Sequence, residues 1–230
     1  SAFDSRAPSD SERMTLDGAV NKTAIMLAIL ISTAAISWNF PSPFIVMLSY
    51  IGIFAAAIAS VATFGFWMPF IGFIINPRPY LAPKTWLVFA FGEGFFIGLI
   101  SLSFETMFPG IVLEAVSLTF CVAATLLFLY KSGIVKPTQN FVLMLCSAIF
   151  GIFLFYIGIF IYSLVTGVSP EIFSGSSNAS IGLSLFIVAM AAFSLVLDFD
   201  IIEQSAEYGS PKYMEYFGAM ALVTTLIWLY

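Results

Sequence analysis

Long apolar runs joined by short polar connections are the feature that most restricts how this chain can fold. Apolar residues make up 60% of the 230 residues and charged residues only 9%, whereas about a quarter of an average soluble domain is charged. An apolar run of about 20 residues is long enough to cross a bilayer as one helix. The pattern predicts an all-α integral membrane protein whose first partner is the lipid bilayer.

Seven apolar runs predict seven transmembrane helices. They cover residues 23–38, 44–66, 85–104, 109–130, 140–165, 181–202 and 213–230. The second run continues to residue 75, too far for one crossing and not far enough for two, so we expect an interfacial piece kinked at Pro69. Residues 1–20 are predicted to be a flexible tail and residues 21–230 the bundle. Thr15 and Asp17 are the alternative caps of the first helix.

Basic residues support the count of seven and predict an orientation. All of them precede the first span or fall in alternate connections: Arg6, Arg13, Lys22, Arg78, Lys84, Lys131, Lys136 and Lys212. Seven spans therefore place every basic residue on one side, whereas eight would scatter them. Because basic residues stay on the cytoplasmic side, we expect a cytoplasmic N-terminus.

Carboxylates inside or beside the apolar runs are the candidate site residues. A charge at the centre of a span costs roughly 2.5 to 3.5 kcal/mol, so depth ranks them. Glu93 lies in the third span between two glycines, and Asp198, Asp200 and Glu203 end the sixth. Glu93 and one aspartate are expected at similar depth, where they could meet across helices. Asp198 and Asp200 cannot face the same way, and the pattern leaves open which faces the bundle.

The chemistry predicted for this cluster is that of a proton acceptor, a cation site, or both. No span contains a lysine, arginine or histidine that would neutralise it. Oxygen ligands alone suit calcium and argue against zinc or copper, so calcium is the one candidate ion and no other cofactor is expected. The alternative is structural: the aspartates reach headgroup water, and Glu93 bonds a neighbouring helix.

Other functions are not favoured. The chain has no histidine, which removes the usual general base, and it has neither a phosphate-binding glycine loop nor a nucleophile elbow. We therefore predict that it is not an enzyme, and without a basic surface it is not expected to bind nucleic acid. Cys121 and Cys146 are expected to be buried free thiols, Gly94 and Gly98 to form a close helix contact, and Glu105 to be solvated.

Three segments, ERMTLDGAVNKT (12–23), APKTWLVFAFGEGFFIGLISLSFETMFPGIVLEAVSLTF (82–120) and LVLDFDIIEQSAEYGSPKYMEYFGAMALVTTLIWLY (195–230), together resemble the Bax inhibitor family, particularly its bacterial YccA-like branch. The resemblance implies two groups of three helices around a central seventh helix, and a pH-sensitive calcium leak. In the family, paired aspartates on the sixth and last helices control this leak. Asp198 or Asp200 matches the first member, whereas Thr224 and Thr225 stand near the expected place of the second.

Two functions from different classes follow. The first is a pH-sensitive calcium leak that uses Asp200, Asp198, Glu93 and Glu203. The alternative, which the incomplete aspartate pair and the YccA-like resemblance favour, is a non-conducting protein that binds and modulates another membrane complex, such as a membrane protease. A bacterial plasma (inner) membrane is the predicted location, and an organelle inner membrane is the alternative.

Overall fold

Seven α-helices make up most of the computed structural model, which describes residues 13–64, 78–167 and 178–230. Six of the described helices are long and apolar enough to cross a membrane, and the seventh is a shorter apolar helix. This confirms the prediction of an all-helical membrane protein. The helices are α1 (Leu16–Asn39), α2 (Pro43–Phe64), α3 (Ala82–Met107), α4 (Ile111–Lys131), α5 (Gln139–Thr166), α6 (Asn178–Glu207) and α7 (Tyr213–Leu229).

The start of α1 and the end of α6 follow from local signals in the sequence. Thr15, one of the two predicted caps, accepts a hydrogen bond from the backbone N–H of Gly18 at 3.0 Å, whereas Asp17 lies inside the first turn. The helix therefore begins within the segment that was predicted to be a tail. Gly209, with a φ of 64°, follows α6 in the left-handed conformation that ends many helices. The predicted kink at Pro69 lies outside the described residues.

Two compact units divide the chain. The first consists of Ser1–Leu118 and Asp198–Thr224, and the second of Thr119–Leu197 and Thr225–Tyr230. All four candidate carboxylates therefore belong to the first unit. Both cysteines are free and belong to the second; Cys121 is exposed, so the prediction of a buried thiol is wrong there.

Glycines allow α3 to pack closely against α1 and α2. A Cβ atom at Gly92 would overlap the carbonyl oxygen of Gly52 on α2. On the other side, a Cβ atom at Gly94 would overlap the hydroxyl oxygen of Thr33 on α1, and Gly98 makes an equivalent approach to α1. Small residues at a helix interface let two backbones come together in a membrane. The close contact expected at Gly94 and Gly98 is confirmed, and Gly92 adds a second one.

Glu105, in the last turns of α3, caps the start of α4. Its two carboxylate oxygens accept hydrogen bonds from the backbone N–H groups of Gly110 at 2.6 Å and Val112 at 3.2 Å. The first N–H groups of a helix have no partner inside the helix, and a negative charge beside them is favoured by the helix dipole. The prediction of a merely solvated Glu105 is therefore wrong, since this half-buried side chain fastens two helices together.

We expect Gly92→Ala to lower the free energy of unfolding by about 1 to 3 kcal/mol, the usual cost of overpacking, because the new methyl group meets backbone atoms of Gly52. The matched control is Gly158→Ala on α5, where a Cβ atom has nothing within 4 Å. Alanine is the better helix former at an unhindered position. Thermal unfolding in detergent, followed by circular dichroism, should separate the two variants, and equal melting temperatures would contradict the contact.

Replacing Glu105 by alanine should cost about 0.5 to 2 kcal/mol, as the loss of other helix caps does, and should speed amide hydrogen exchange at Gly110 and Val112. Glu114→Ala is the control, since Glu114 lies in the first turn of the same helix and is exposed. It removes the same charge without removing these hydrogen bonds. Equally fast exchange in both variants would show that charge near the helix, and not the cap, protects the amides.

Candidate functional site

The starts of α1, α3 and α7 lie at one end of the first unit. Lys22 of α1 and Glu215 of α7 form an ion pair with a nitrogen–oxygen distance of 2.5 Å. Trp86, in the first turns of α3, packs edge-on against Tyr216 of α7 with ring centres 5.3 Å apart. The end of α6 joins α7 through a short turn. Distances along these helices can therefore be counted from a common end.

Glu93, Asp198 and Thr224 lie at similar distances from that end. Glu93 and Thr224 are each eleven residues past the first residue of their helices, about 16 Å at the rise of an α-helix. Asp198 is nine residues before the last residue of α6, about 14 Å. Counted along their helices, Glu93 and Asp198 therefore lie at comparable distances from this end, and their meeting across helices stays a prediction.

Asp198 is the more buried of the two aspartates on α6. It is 9% exposed and shares a helix face with Leu195 and Ile202, which are also buried. Asp200 is half-buried, and its Oδ2 accepts a hydrogen bond from Nε2 of Gln204 at 2.6 Å. Only Asp198 therefore lies on the packed face of α6.

The other predicted carboxylate of α6 lies on a more open face. Glu203 is exposed, as is Glu207 one turn later. Glu203 follows Asp200 by three residues and Glu207 follows Glu203 by four, which places all three on one side of the helix. The structure thus brings Glu203 to the surface of the first unit.

Glu93 occupies a face of α3 that the glycines on either side of it help to define. Gly92 contacts α2 and Gly94 contacts α1, as described above. Glu93 itself is half-buried and follows Phe89 and Trp86 by four and seven residues, so it shares the face on which α3 meets α7. Within the described residues Glu93 makes no hydrogen bond or ion pair, so the structure does not bring its carboxyl group into hydrogen-bonding contact with Asp198.

The threonines of α7 stand where the resemblance implied an aspartate. Thr224 is half-buried and donates its hydroxyl hydrogen to the carbonyl oxygen of Met220 at 2.7 Å, within its own helix. Thr225 is buried, with 8% of its surface exposed. Across the described ranges, no group of three or more Asp, Glu or Cys residues could hold a metal ion.

Glu215 is a buried carboxylate that the sequence analysis did not select. It is 1% exposed, and it accepts hydrogen bonds from the backbone N–H of Thr15 at 3.0 Å, from the Thr15 hydroxyl at 3.1 Å and from Nζ of Lys22 at 2.5 Å. One signal was available: Thr15 and Lys22 are seven residues apart and share a face of α1. Their common partner lies 193 to 200 residues away along the chain, and no local pattern points to it.

A comparison with family models assigns the chain to a known family. A family model described as Bax inhibitor 1 like matches residues 1–230. Searches of curated proteins and of solved structures found no match. Because the family match extends over the whole sequence, including every helix described above, the chain belongs to the Bax inhibitor 1 like family and is an integral membrane protein of that family.

Proposed function

We propose that this protein is a pH-sensitive cation leak and that calcium is the ion it conducts. The observation that carries the proposal is the burial of Asp198 on the packed face of α6. A charged side chain within a transmembrane segment is costly, and such residues mark ion pathways and proton relays. Carboxylate oxygen is also the ligand that calcium prefers. No enzymatic step is assigned to the protein.

Glu93 is the second acidic group of the proposed pathway. It is half-buried on α3 at about the level of Asp198, as counted along the helices. Thr224, at the corresponding level of α7, has no charge to contribute. In this arrangement Asp198 binds the cation or a proton, and Glu93 takes the part that a carboxylate on the last helix plays in the family. Asp200 and Glu203 lie on another face of α6 and are not assigned to the ion-binding position.

The finer architecture is part of the same proposal. The 17 residues of α7 span about 26 Å, close to the ~30 Å of a bilayer core, and we take α7 as the seventh crossing. Its Ala219, Met220 and Val223 are 0% exposed, which supports a central last helix. Seven crossings leave all basic residues on one side and the N-terminus in the cytoplasm. A YccA-like protein of a bacterial inner membrane fits this arrangement.

Calcium flux into liposomes that contain the purified protein tests the leak. We expect Asp198→Asn to lower the flux about tenfold or more, because the attraction between two unit charges 4 Å apart is ~4 kcal/mol at an effective dielectric constant of ~20. The flux should also change less with pH, since asparagine cannot take up a proton and Glu93 is then the one acidic group left at this level of the proposed pathway. Glu93→Gln should lower the flux as well.

Asp200→Asn is the matched control for that measurement. It removes the same charge two residues away, from a half-buried side chain that bonds Gln204, and we expect it to leave most of the flux intact. Equal loss in the two aspartate variants would contradict the assignment to Asp198. Absence of flux through the wild-type protein at every pH would contradict the leak itself.

The alternative function is that of a non-conducting protein that modulates another membrane complex, such as a membrane protease. The observation that favours it is the hydroxyl of Thr224, which bonds within its own helix, so that α7 offers no acidic group at the level of Asp198. In this alternative, the N-terminal residues before Arg13 bind the partner complex.

Deletion of residues 1–12 tests this alternative while keeping the hydrogen bonds of Thr15. Chemical crosslinking in native membranes, followed by purification, should recover a membrane protease with the full chain and not with the shortened one. The full chain should also show no calcium flux in liposomes. Unchanged recovery of the partner after the deletion would remove this role for the N-terminal residues.

A further inference from the structure

Residues 13–15, here named the strap, are docked on the turn between α6 and α7. Arg13 and Pro211 form an antiparallel bridge, and the backbone N–H of Met14 donates to the carbonyl oxygen of Ser210 at 2.7 Å. The Met14 side chain is buried in a cluster with Ala19 of α1 and Ile202 of α6. The strap thus contacts the α6–α7 turn through its backbone and the end of α6 through the Met14 side chain.

Glu215 joins the strap to α1 and α7 at the same place. Thr15 of the strap donates two hydrogen bonds to its carboxylate, and Lys22 donates a third. Nζ of Lys22 also lies 4.6 Å from the centre of the Tyr216 ring, a cation–π contact. The Lys22 and Glu215 side chains are only 15% and 2% exposed. Removing one partner from a buried pair leaves an uncompensated charge, which makes such pairs sensitive to substitution.

Gly18 is the residue that lets this carboxylate approach α1. A Cβ atom at Gly18 would overlap the carboxyl carbon and an oxygen of Glu215. The backbone of Gly18 is helical, so alanine would suit the helix itself. Any weakening of the contacts between α1 and α7 in Gly18→Ala would therefore come from displacement of the Glu215 carboxylate.

The same contacts extend to the α6 segment that carries Asp198. Gly218 lies three residues after Glu215, and a Cβ atom there would come within 2.7 Å of Cγ1 of Ile202. Ile202 lies four residues after Asp198, one helical turn away and on the same buried face. Ile202 is therefore held from α7 by Gly218 and from the strap by Met14.

We propose that the strap and the Lys22–Glu215 pair form a clasp that fixes the end of α6, and that Glu215 is a positioning residue for the Asp198 carboxylate. The clasp links the strap to the turn between α6 and α7. Displacing the strap therefore also moves Ile202 and the preceding turn of α6. The positioning role rests on the proposed function; the clasp itself does not.

Disulfide trapping tests the clasp without any measurement of transport. Arg13→Cys and Pro211→Cys are introduced together in a chain that carries Cys121→Ala and Cys146→Ala. Paired residues of neighbouring strands have Cα atoms about 4.5–5.5 Å apart, within the range of a disulfide. The pair should crosslink readily on mild oxidation, and about tenfold more slowly after Glu215→Gln, Lys22→Met or Gly18→Ala, because each change breaks or displaces the buried pair.

Two control variants keep this test falsifiable. Gly182→Ala makes the same substitution as Gly18→Ala on α6, where a Cβ atom meets nothing within 4 Å, and should crosslink at the parent rate. Lys22→Arg keeps the charge and should restore most of the rate lost in Lys22→Met. Unchanged crosslinking after Glu215→Gln and Gly18→Ala would overturn the clasp.

Flux measurements in liposomes then test the positioning role. In Glu215→Gln the calcium concentration for half-maximal flux should rise about tenfold, equivalent to ~1.4 kcal/mol of lost ion binding. Forming the Arg13→Cys/Pro211→Cys disulfide in that variant should restore the wild-type calcium concentration for half-maximal flux. A variant that had generally lost its fold would not be restored in this way. Slower crosslinking with an unchanged calcium dependence would overturn the positioning role. A wild-type protein without flux would remove the leak, while the crosslinking rates would still decide the clasp.

Discussion

The close approach of α3 to α1 and α2 is the interaction on which the first unit depends. Helices surrounded by lipid gain little from burying apolar side chains against one another, so they associate through close packing of small residues. Gly92 and Gly94 provide that packing on opposite sides of Glu93. Because Gly92 packs on α2 and Gly94 packs on α1, these two contacts fix the face of α3 from which the Glu93 side chain projects. Its half-buried position follows from how the backbones meet.

The acidic residues of this unit are stabilised in different ways. Glu105 accepts hydrogen bonds from free N–H groups at the start of α4, and Glu215 is neutralised by Lys22 within a buried pair. Asp198 is buried on the packed face of an apolar helix. Structural contacts account for the first two carboxylates, and burial distinguishes Asp198 from Asp200 and Glu203 on the same helix. This difference singles out Asp198 among the acidic residues of α6.

Most helices could be predicted from the sequence because hydrophobicity and helix-ending residues are local properties. Thr15, for example, was one of two caps that the local sequence offered, and the structure selects it. The burial of Asp198 in preference to Asp200 could not be read, because it depends on which face of α6 its neighbours cover. Glu215 was missed since its partners come from the other end of the chain. Glu105 was misread because its carboxylate reaches forward past a turn to amides of the next helix.

The cap formed by Glu105 also bears on how the protein enters the membrane during synthesis. Backbone N–H groups at the tip of a helical hairpin would have to cross the apolar core before they reached water on the far side, and each unsatisfied group there is costly. Glu105 supplies acceptors for two such groups, the amides of Gly110 and Val112, from the last turns of α3. Two amides of the α3–α4 turn are thus already paired with acceptors from the same stretch of chain, which lowers the cost of moving this turn into lipid.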